Sequence, residues 1–379
     1  MLKTIKNNMR KNLTVSVYFR HHEINPSNYY RFYQYIKDLP GKYYIHDTAP
    51  SYLYKRSLDS RSKFIKKIVQ GIIFLVLSYR LFCCLVFDYF RKCDIIFIQR
   101  ELSPRCILGI NFLLFKMISK KTCIIWDFDD DIINDGEISK HELTIVEKKA
   151  KYILVISEYL KELLPCEYQS KVILLPTTDG DIYKKIDEKI IQDRIERFKT
   201  EVVLVWIGTS GNLKNLDYII PALDSAAELL KNNNKKLFLY CVSGIEYQFE
   251  TKYLIIKNVK WSRDNMIHTL MMSHIGIMPL PHNRFSLGKG GFKLIQYLSA
   301  GLPVIASDLG FNRNVVTGSK GILVDDIDSN LKWREAVLIL SGFNYRILSE
   351  DAFETYKRKF NYKCNLNVLQ QIILSMRDM

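Results

Sequence analysis

Two segments in the second half of the chain gather lysines, glycines and small polar residues at spacings that suit an anion. In Val202 to Leu230 a continuous apolar run ends at Ile207 and is followed by Gly208, Thr209, Ser210, Gly211 and then Lys214. Such a turn between strand and helix aims backbone N–H groups above a sheet. A helix starting near Asn215, with Leu216, Ile220, Leu223 and Ala227 facing the core, adds its positive dipole end and puts Lys214 at its mouth, in reach of a diphosphate. The glycines read G-x-x-G, so a purely steric turn is the alternative. In His274 to Ser307, Gly288, Lys289, Gly290 and Gly291 precede a short helix, Phe292–Ser299, closed by Ala300-Gly301 before Pro303 opens a strand. Phe292, Ile295 and Leu298 cover one side of that helix, while Lys293 and Gln296 lie about 60° apart on the other. Lysines, glycine amides and a helix N-terminus form a second anion cradle, against the alternative of a solvated lysine face.

The first half carries acids. Cys123 to Asp131 reads CIIWDFDDD, a strand that ends in Asp127, Asp129, Asp130 and Asp131. Carboxylates that do chemistry are one reading and a solvated N-cap cluster the other. Arg31, in NPSNYYRFYQYI, pairs with a phosphate or stays a surface arginine. His21 and His22 read as ordinary loop histidines.

The elements that must position these groups are short apolar runs alternating with longer helical patterns. Strands are expected at Leu13–Phe19, Asp94–Gln99, Thr122–Trp126, Tyr152–Ile156 and Lys171–Leu175, then at Val202–Ile207, Lys236–Val242, Ile275–Pro279, Pro303–Ala306 and Gly321–Val324. Continuous apolarity marks strands covered on both faces, hence two doubly wound parallel α/β domains with ligands in a cleft at the carboxyl ends of their strands. The charged stretch Asp179 to Thr200 is where the domains divide, a size that 379 residues allow.

Composition limits the partners. The net charge is +15, and Met1 to Lys92 holds 17 basic and 5 acidic residues, so this first quarter seeks phosphates. No nucleic-acid module accompanies it, and its aromatics interleave with apolar runs, so nucleic acid is not the expected partner. Eight cysteines without a C-x-x-C pair and no secretory signal at the start point to a reduced cytoplasmic interior. Ile65 to Phe90 is apolar, but its longest charge-free run, Ile68 to Tyr79, has 12 residues, short of a span. A buried helix is one reading. A peripheral helix on the inner membrane face, with Arg56, Arg61, Lys63, Lys66 and Lys67 on anionic headgroups, is the other.

GKGGFKLIQYLSAGLPVIAS and the following DLGFNRNVVTGSKGILV resemble the donor-binding signature of family 4 glycosyltransferases of the GT-B fold. IGIMPLP, LPT at Leu175 to Thr177, VISEYL at Val155 to Leu160 and Trp333 follow in family order, so the resemblance runs from about Asp94 to Trp333. It implies two Rossmann-like domains facing across a cleft: residues 1–190 for the acceptor, 191–360 for the nucleotide-sugar donor, and a helix over 361–379 crossing back to the first. It also implies sugar transfer to a hydroxyl with retention, on a glycan or lipid-linked acceptor, with no cofactor and no obligatory metal. Donor binding falls to Gly208, Thr209, Ser210, Lys214, Lys289, Gly290, Gly291, Lys293 and Gln296. Catalysis falls to Asp127, Asp129, Asp130, Lys214 and Lys289, and the acceptor side to Arg31 and Asp129. Gly288 and Gln296 replace a glutamate pair common in relatives, and Thr209 stands where many have an arginine, a cation that Lys289 and Lys293 make good. Two alternatives are a GT-B nucleotide-sugar 2-epimerase and a metal-dependent GT-A transferase using Asp127 and Asp129, whose D-x-D would hold a divalent ion.

Overall fold

The computed structural model describes residues 3–6, 13–51 and 63–376, with backbone alone at 3–6 and 63–69. Arg56 and Arg61 lie outside the described residues, as do the side chains of Lys63, Lys66 and Lys67. The chain divides into two compact units, Met1–Thr177 with Lys363–Met379, and Thr178–Tyr362. The division falls at 177/178, earlier than the 190/191 expected, because Thr178 and Asp179 are buried in the second unit, where Thr178 Oγ1 donates to Phe360 O and Asp179 O accepts from Tyr356 Oη (2.8 Å).

In the first unit, β1 (Lys3–Lys6), β2 (Thr14–Phe19), β3 (Lys42–Asp47), β4 (Ile95–Gln99), β5 (Cys123–Phe128), β6 (Ala150–Val155) and β7 (Val172–Leu174) form a sheet of order β1-β3-β2-β4-β5-β6-β7. Every pairing is parallel except β1 with β3. Its helices are α1 (Pro26–Arg31), α2 (Lys63–Arg91), α3 (Gly109–Ile118), α4 (Lys140–Lys149), α5 (Glu158–Glu162) and α6 (Cys166–Gln169). β4 is buried along its whole length, as its unbroken IIFIQ requires of a strand covered on both faces.

The second unit opens with α7 (Glu188–Phe198), inside the stretch read from sequence as the link between domains. It continues through β8 (Glu201–Ile207), α8 (Ile220–Asn232), β9 (Lys236–Ser243), β10 (Ile255–Lys260), α9 (Arg263–Met271), β11 (Ile275–Met278), α10 (Arg284–Leu287), α11 (Phe292–Ser299), β12 (Val304–Ser307), α12 (Phe311–Val316), β13 (Ile322–Val324), α13 (Asn330–Gly342) and α14 (Tyr345–Lys359). Its strands, all parallel, run in the order β10-β9-β8-β11-β12-β13. α15 (Tyr362–Ser375) belongs from Lys363 to the first unit, where Asn365 Nδ2 donates to Pro176 O (2.6 Å) and Gln370 Nε2 to Asp38 O (3.0 Å).

β1, β3 and β10 were not expected. β10, IIKNVK, is an edge strand with a largely exposed face, and β3 ends in His46 and Asp47.

α2 is held by a charge placed inside the protein. Asp88, buried, accepts from Ser16 Oγ (2.7 Å), Tyr18 Oη (2.7 Å), Arg91 Nη2 (2.8 Å) and His46 Nε2 (3.1 Å). Arg80 donates to Asp47 O (2.8 Å). Arg80 and Asp88, the two charges within the apolar run Ile65 to Phe90 beyond its charge-free stretch, are thus bonded inward, and the helix continues for 29 residues. Burial lowers the His46 pKa, but the hydrogen bonds it makes to Asp88 and Cys84 outweigh it and push it up to about 9. Burial raises Asp88, and His46, Tyr18 and Ser16 together hold it below its usual range.

The signs are opposite for the two groups. His46 contributes stability that is complete below its unfolded pKa of 6.5 and is lost as pH rises through 9. Asp88 contributes stability present above its unfolded pKa and lost as pH falls through its lower folded value. Urea unfolding should show a decline of roughly 3 kcal/mol between pH 6.5 and 9.5. That slope should vanish in His46→Gln; an unchanged slope would place the charge elsewhere.

Candidate active site

The glycine turn and the lysine helix meet at one indole. Trp206, near the end of β8, is 2% exposed. A Cβ on Gly208 would lie 2.3 Å from its ring, so only glycine lets the chain turn over it. Lys293 Nζ stands 5.1 Å from the centroid of the same ring. Tyr297, one turn further along α11, accepts from Ile207 N (3.0 Å), and its ring needs Gly276, where a Cβ would come within 2.2 Å. Trp206 and Tyr297 are the positioning residues that reading the sequence missed. The tryptophan directly ahead of Gly208 was their one visible signal.

α11 begins at Gly291 (φ +59°) and closes at Gly301 (φ +69°). Gly301 N donates to Leu298 O and Leu302 N to Tyr297 O, the paired bonds of a left-handed cap. The helix is buried almost all round and not on one side only, since Leu294, Gln296, Tyr297 and Ser299 are buried as well. Lys289, half-buried ahead of it, lies 4.0 Å from the Phe285 ring. Burial, reinforced by the Lys289 charge, pushes Lys293 down to about 8. Among the described residues no carboxylate or hydrogen-bond acceptor pairs with Lys293.

Lys214 is not at a helix mouth. Residues Ser210–Asn215 form a 3-10 turn, which packs Leu213, Leu216 and Ile219 inward at intervals of three, and α8 begins only at Ile220, ahead of Pro221. Thr209, Ser210 and Lys214 are exposed, and Gly290 is half-buried.

Gln296, 4% exposed, donates from Nε2 to Asp179 Oδ2 (3.2 Å), and Asp179 Oδ1 lies 3.6 Å from Arg263 Nη2. A glutamate at 296 would set two carboxylates against each other. The amide turns that repulsion into a hydrogen bond.

At the carboxyl end of the first sheet, Arg31 and Asp127 form a buried ion pair. The guanidinium Nε lies 3.1 Å from both Asp127 oxygens, and Nη1 donates to Leu175 O and Thr177 Oγ1. Burial lifts the Asp127 carboxyl, with Arg31 pulling against the rise. Each charge is spent on the other. Asp129 and Asp130 are half-buried. Asp129 accepts from Ser27 Oγ and Gln99 Nε2 (3.3 Å), and Asp130 Oδ2 lies 3.2 Å from Arg100 Nη2. Asp131 holds the turn through Asn134 and Tyr159. His21 and His22 are buried rather than loose. Their rings stack at 5.5 Å, His22 Nδ1 lies 2.5 Å from Asp47 Oδ2, and His21 Nε2 lies 2.8 Å from Ser51 Oγ.

These placements separate support from chemistry. Asp127→Ala strands a buried guanidinium and should cost about 3–5 kcal/mol in urea unfolding, whereas Asp129→Asn should stay within about 1 kcal/mol of the parent. Gln296→Glu should destabilise the protein by about 1–3 kcal/mol, and adding Asp179→Asn should restore most of it. Strict additivity in that double-mutant cycle would count against the Gln296–Asp179 bond.

Residues 201–341 match the family model described as glycosyl transferases group 1. No curated protein matches the chain. Among solved structures, HepE of Anabaena in complex with UDP and glucose is similar, with 9% identity and a TM-score of 0.61 over 96% of this chain and 100% of that one. A glycosyltransferase from Rickettsia africae matches at 12% identity and a TM-score of 0.61, over 97% and 99% of the two chains. A UDP-forming trehalose-phosphate synthase from Burkholderia xenovorans, in complex with glucose-6-phosphate, matches at 9% identity and a TM-score of 0.59, over 96% and 100%. That architecture of two Rossmann-like domains leaves no place for the GT-A alternative. The unit that carries Gly208, Lys289 and Lys293 thus matches the group 1 glycosyl transferases over residues 201–341, and the chain shares the two-domain GT-B fold of these solved structures.

Proposed function

We propose that the protein moves a sugar from a nucleotide diphosphate donor to a hydroxyl of a lipid-linked or surface-polysaccharide acceptor, with retention at the anomeric carbon. The observation that carries the donor reading is Lys293: an ammonium with no counter-ion among the described residues, its pKa pushed down to about 8 over the Trp206 ring beside a second lysine. A diphosphate brings the missing negative charge. Lys293, Lys289 and the amides of Gly290 and Gly291 hold it, and Lys214 on its exposed turn reaches for the outer phosphate. As the sugar–oxygen bond breaks, charge grows on the leaving diphosphate, and these fixed donors stabilise it more than they stabilise the bound donor. Asp129 and Asp130 orient the acceptor hydroxyl, while Asp127 and Arg31 hold their strand end in place. No step requires a metal ion. UDP and UDP-glucose in similar structures support a uridine donor as the first to test.

A thermal-shift panel of UDP-, GDP-, ADP- and CMP-sugars identifies the base, since ligand at 100 times its dissociation constant adds about 2.7 kcal/mol. Lys214→Ala and Lys289→Ala should each lower turnover by more than about tenfold with unchanged melting. EDTA should leave turnover in place, and NMR of the product should show the donor's anomeric configuration. Because donor binding needs charged Lys293, the dissociation constant for the nucleoside diphosphate should rise by up to about tenfold per unit as pH passes 8. Lys293→Met should flatten that profile. Wild-type turnover in both alanine variants, or an epimerised donor without acceptor, would overturn the transfer reading.

A further inference from the structure

α2 buries one face against the first unit through Leu77, Ser78, Leu81, Leu85 and Asp88. Its other face repeats apolar residues every three or four positions at Ile72, Leu75, Tyr79, Cys83, Val86 and Phe90, one stripe along a helix. Leu75, Tyr79 and Phe90 are 65%, 69% and 76% exposed. α3 packs beside α2 and bares Ile110 and Leu113, with Met117 next on the same face. Both stripes end at a single cavity of about 690 Å³, whose lining includes Phe90 and Met117 together with Lys92, Lys120 and Lys121.

The charge around this face is one-sided. From Lys63 to Lys121 the chain has eleven lysines and arginines against three acids, Asp88, Asp94 and Glu101. Asp88 is taken up by its inward bonds, Glu101 is buried beside Arg20, and Asp94 accepts from Thr14 N (2.7 Å) and Oγ1 (2.8 Å). A second copy seated here would set like charge against like.

We infer that the α2–α3 face docks on an anionic membrane leaflet, its apolar stripes at the level of the headgroups and Lys92, Lys120 and Lys121 on lipid phosphates. Gln70–Arg91 is long and apolar enough to cross a membrane by length and composition. Crossing would tear Asp88 from Ser16, Tyr18 and His46, Arg80 from Asp47, and Ser78 O from Asn111 Nδ2 (2.9 Å). The helix therefore lies in the interface instead of spanning it. The inference stands on this surface and not on the transfer reading, since binding is measured without donor.

The test is flotation of the full chain with phosphatidylcholine vesicles, with and without phosphatidylglycerol, over a salt series. Binding should need phosphatidylglycerol, weaken with salt, and fall on the order of tenfold or more in Lys120→Glu with Lys121→Glu. Leu75→Asp with Tyr79→Asp, both exposed positions, should lose binding with unchanged melting and a monomeric mass by light scattering. Wild type left behind at low salt, equal binding to neutral vesicles, or undiminished binding by both double variants would each overturn the inference. A wild-type dimer that Leu75→Asp dissociates would assign the face to a second copy instead.

Discussion

Three backbone carbonyls decide where the glycine–lysine loop of the second unit stands. α9 and α11 end next to each other in the protein, where the last carbonyls of a helix lack intrahelical partners. Arg194, buried on α7, supplies all three: Nη2 to Leu270 O (2.8 Å), Nε to Met271 O (2.9 Å) and Nη1 to Ala300 O (2.7 Å). A planar guanidinium suits this fork, and its charge meets the negative ends of two helix dipoles. With the carboxyl end of α11 clamped and Tyr297 bonded to β8, the amino end of that helix, with Lys289 and Lys293, has one position over Trp206.

Among the described residues, the fully buried charges are all in company. Asp88 has four donors, and Arg31 has Asp127 and two oxygens of the segment leading out of β7. Such groups hold elements together because taking away a partner leaves an uncompensated charge in a poor solvent for it. Half-buried Lys293 contrasts with them, with cation and aromatic face but no acid among the described residues. That contrast separates framework from chemistry more sharply than conspicuous spacing does. Asp127 looks catalytic in the sequence and is bonded into the framework by Arg31, while Lys293 looks like one of two helix-face lysines and has no acid beside it among the described residues.

Ten strands, the glycine turn after β8, the glycine loop ahead of α11 and the cap at Gly301 were legible because each has a local cause: unbroken apolarity, glycine after a strand or before a helix, glycine after one. β3 was not, and with it went Asp47, so His21 and His22 gave no sign of being buried beside it. α7 read as a link because most of its exposed face is charged, and a single buried arginine leaves no periodic mark. The start of α8 was placed early because helical spacing over Leu216, Ile220 and Leu223 looks much like the threefold spacing of a 3-10 turn running into a helix.

What the sequence determined alone was therefore whatever depends on neighbours within a few residues: strands, turns, caps, the alternation that makes two parallel sheets, and the signature of the transferase domain. The tertiary structure decided which charges meet. Arg31 and Asp127 are 96 residues apart, Gln296 and Asp179 117, Arg194 and Ala300 106. Whether a buried polar group is strut or tool depends on the partner folded against it, and no local pattern encodes a partner that distant.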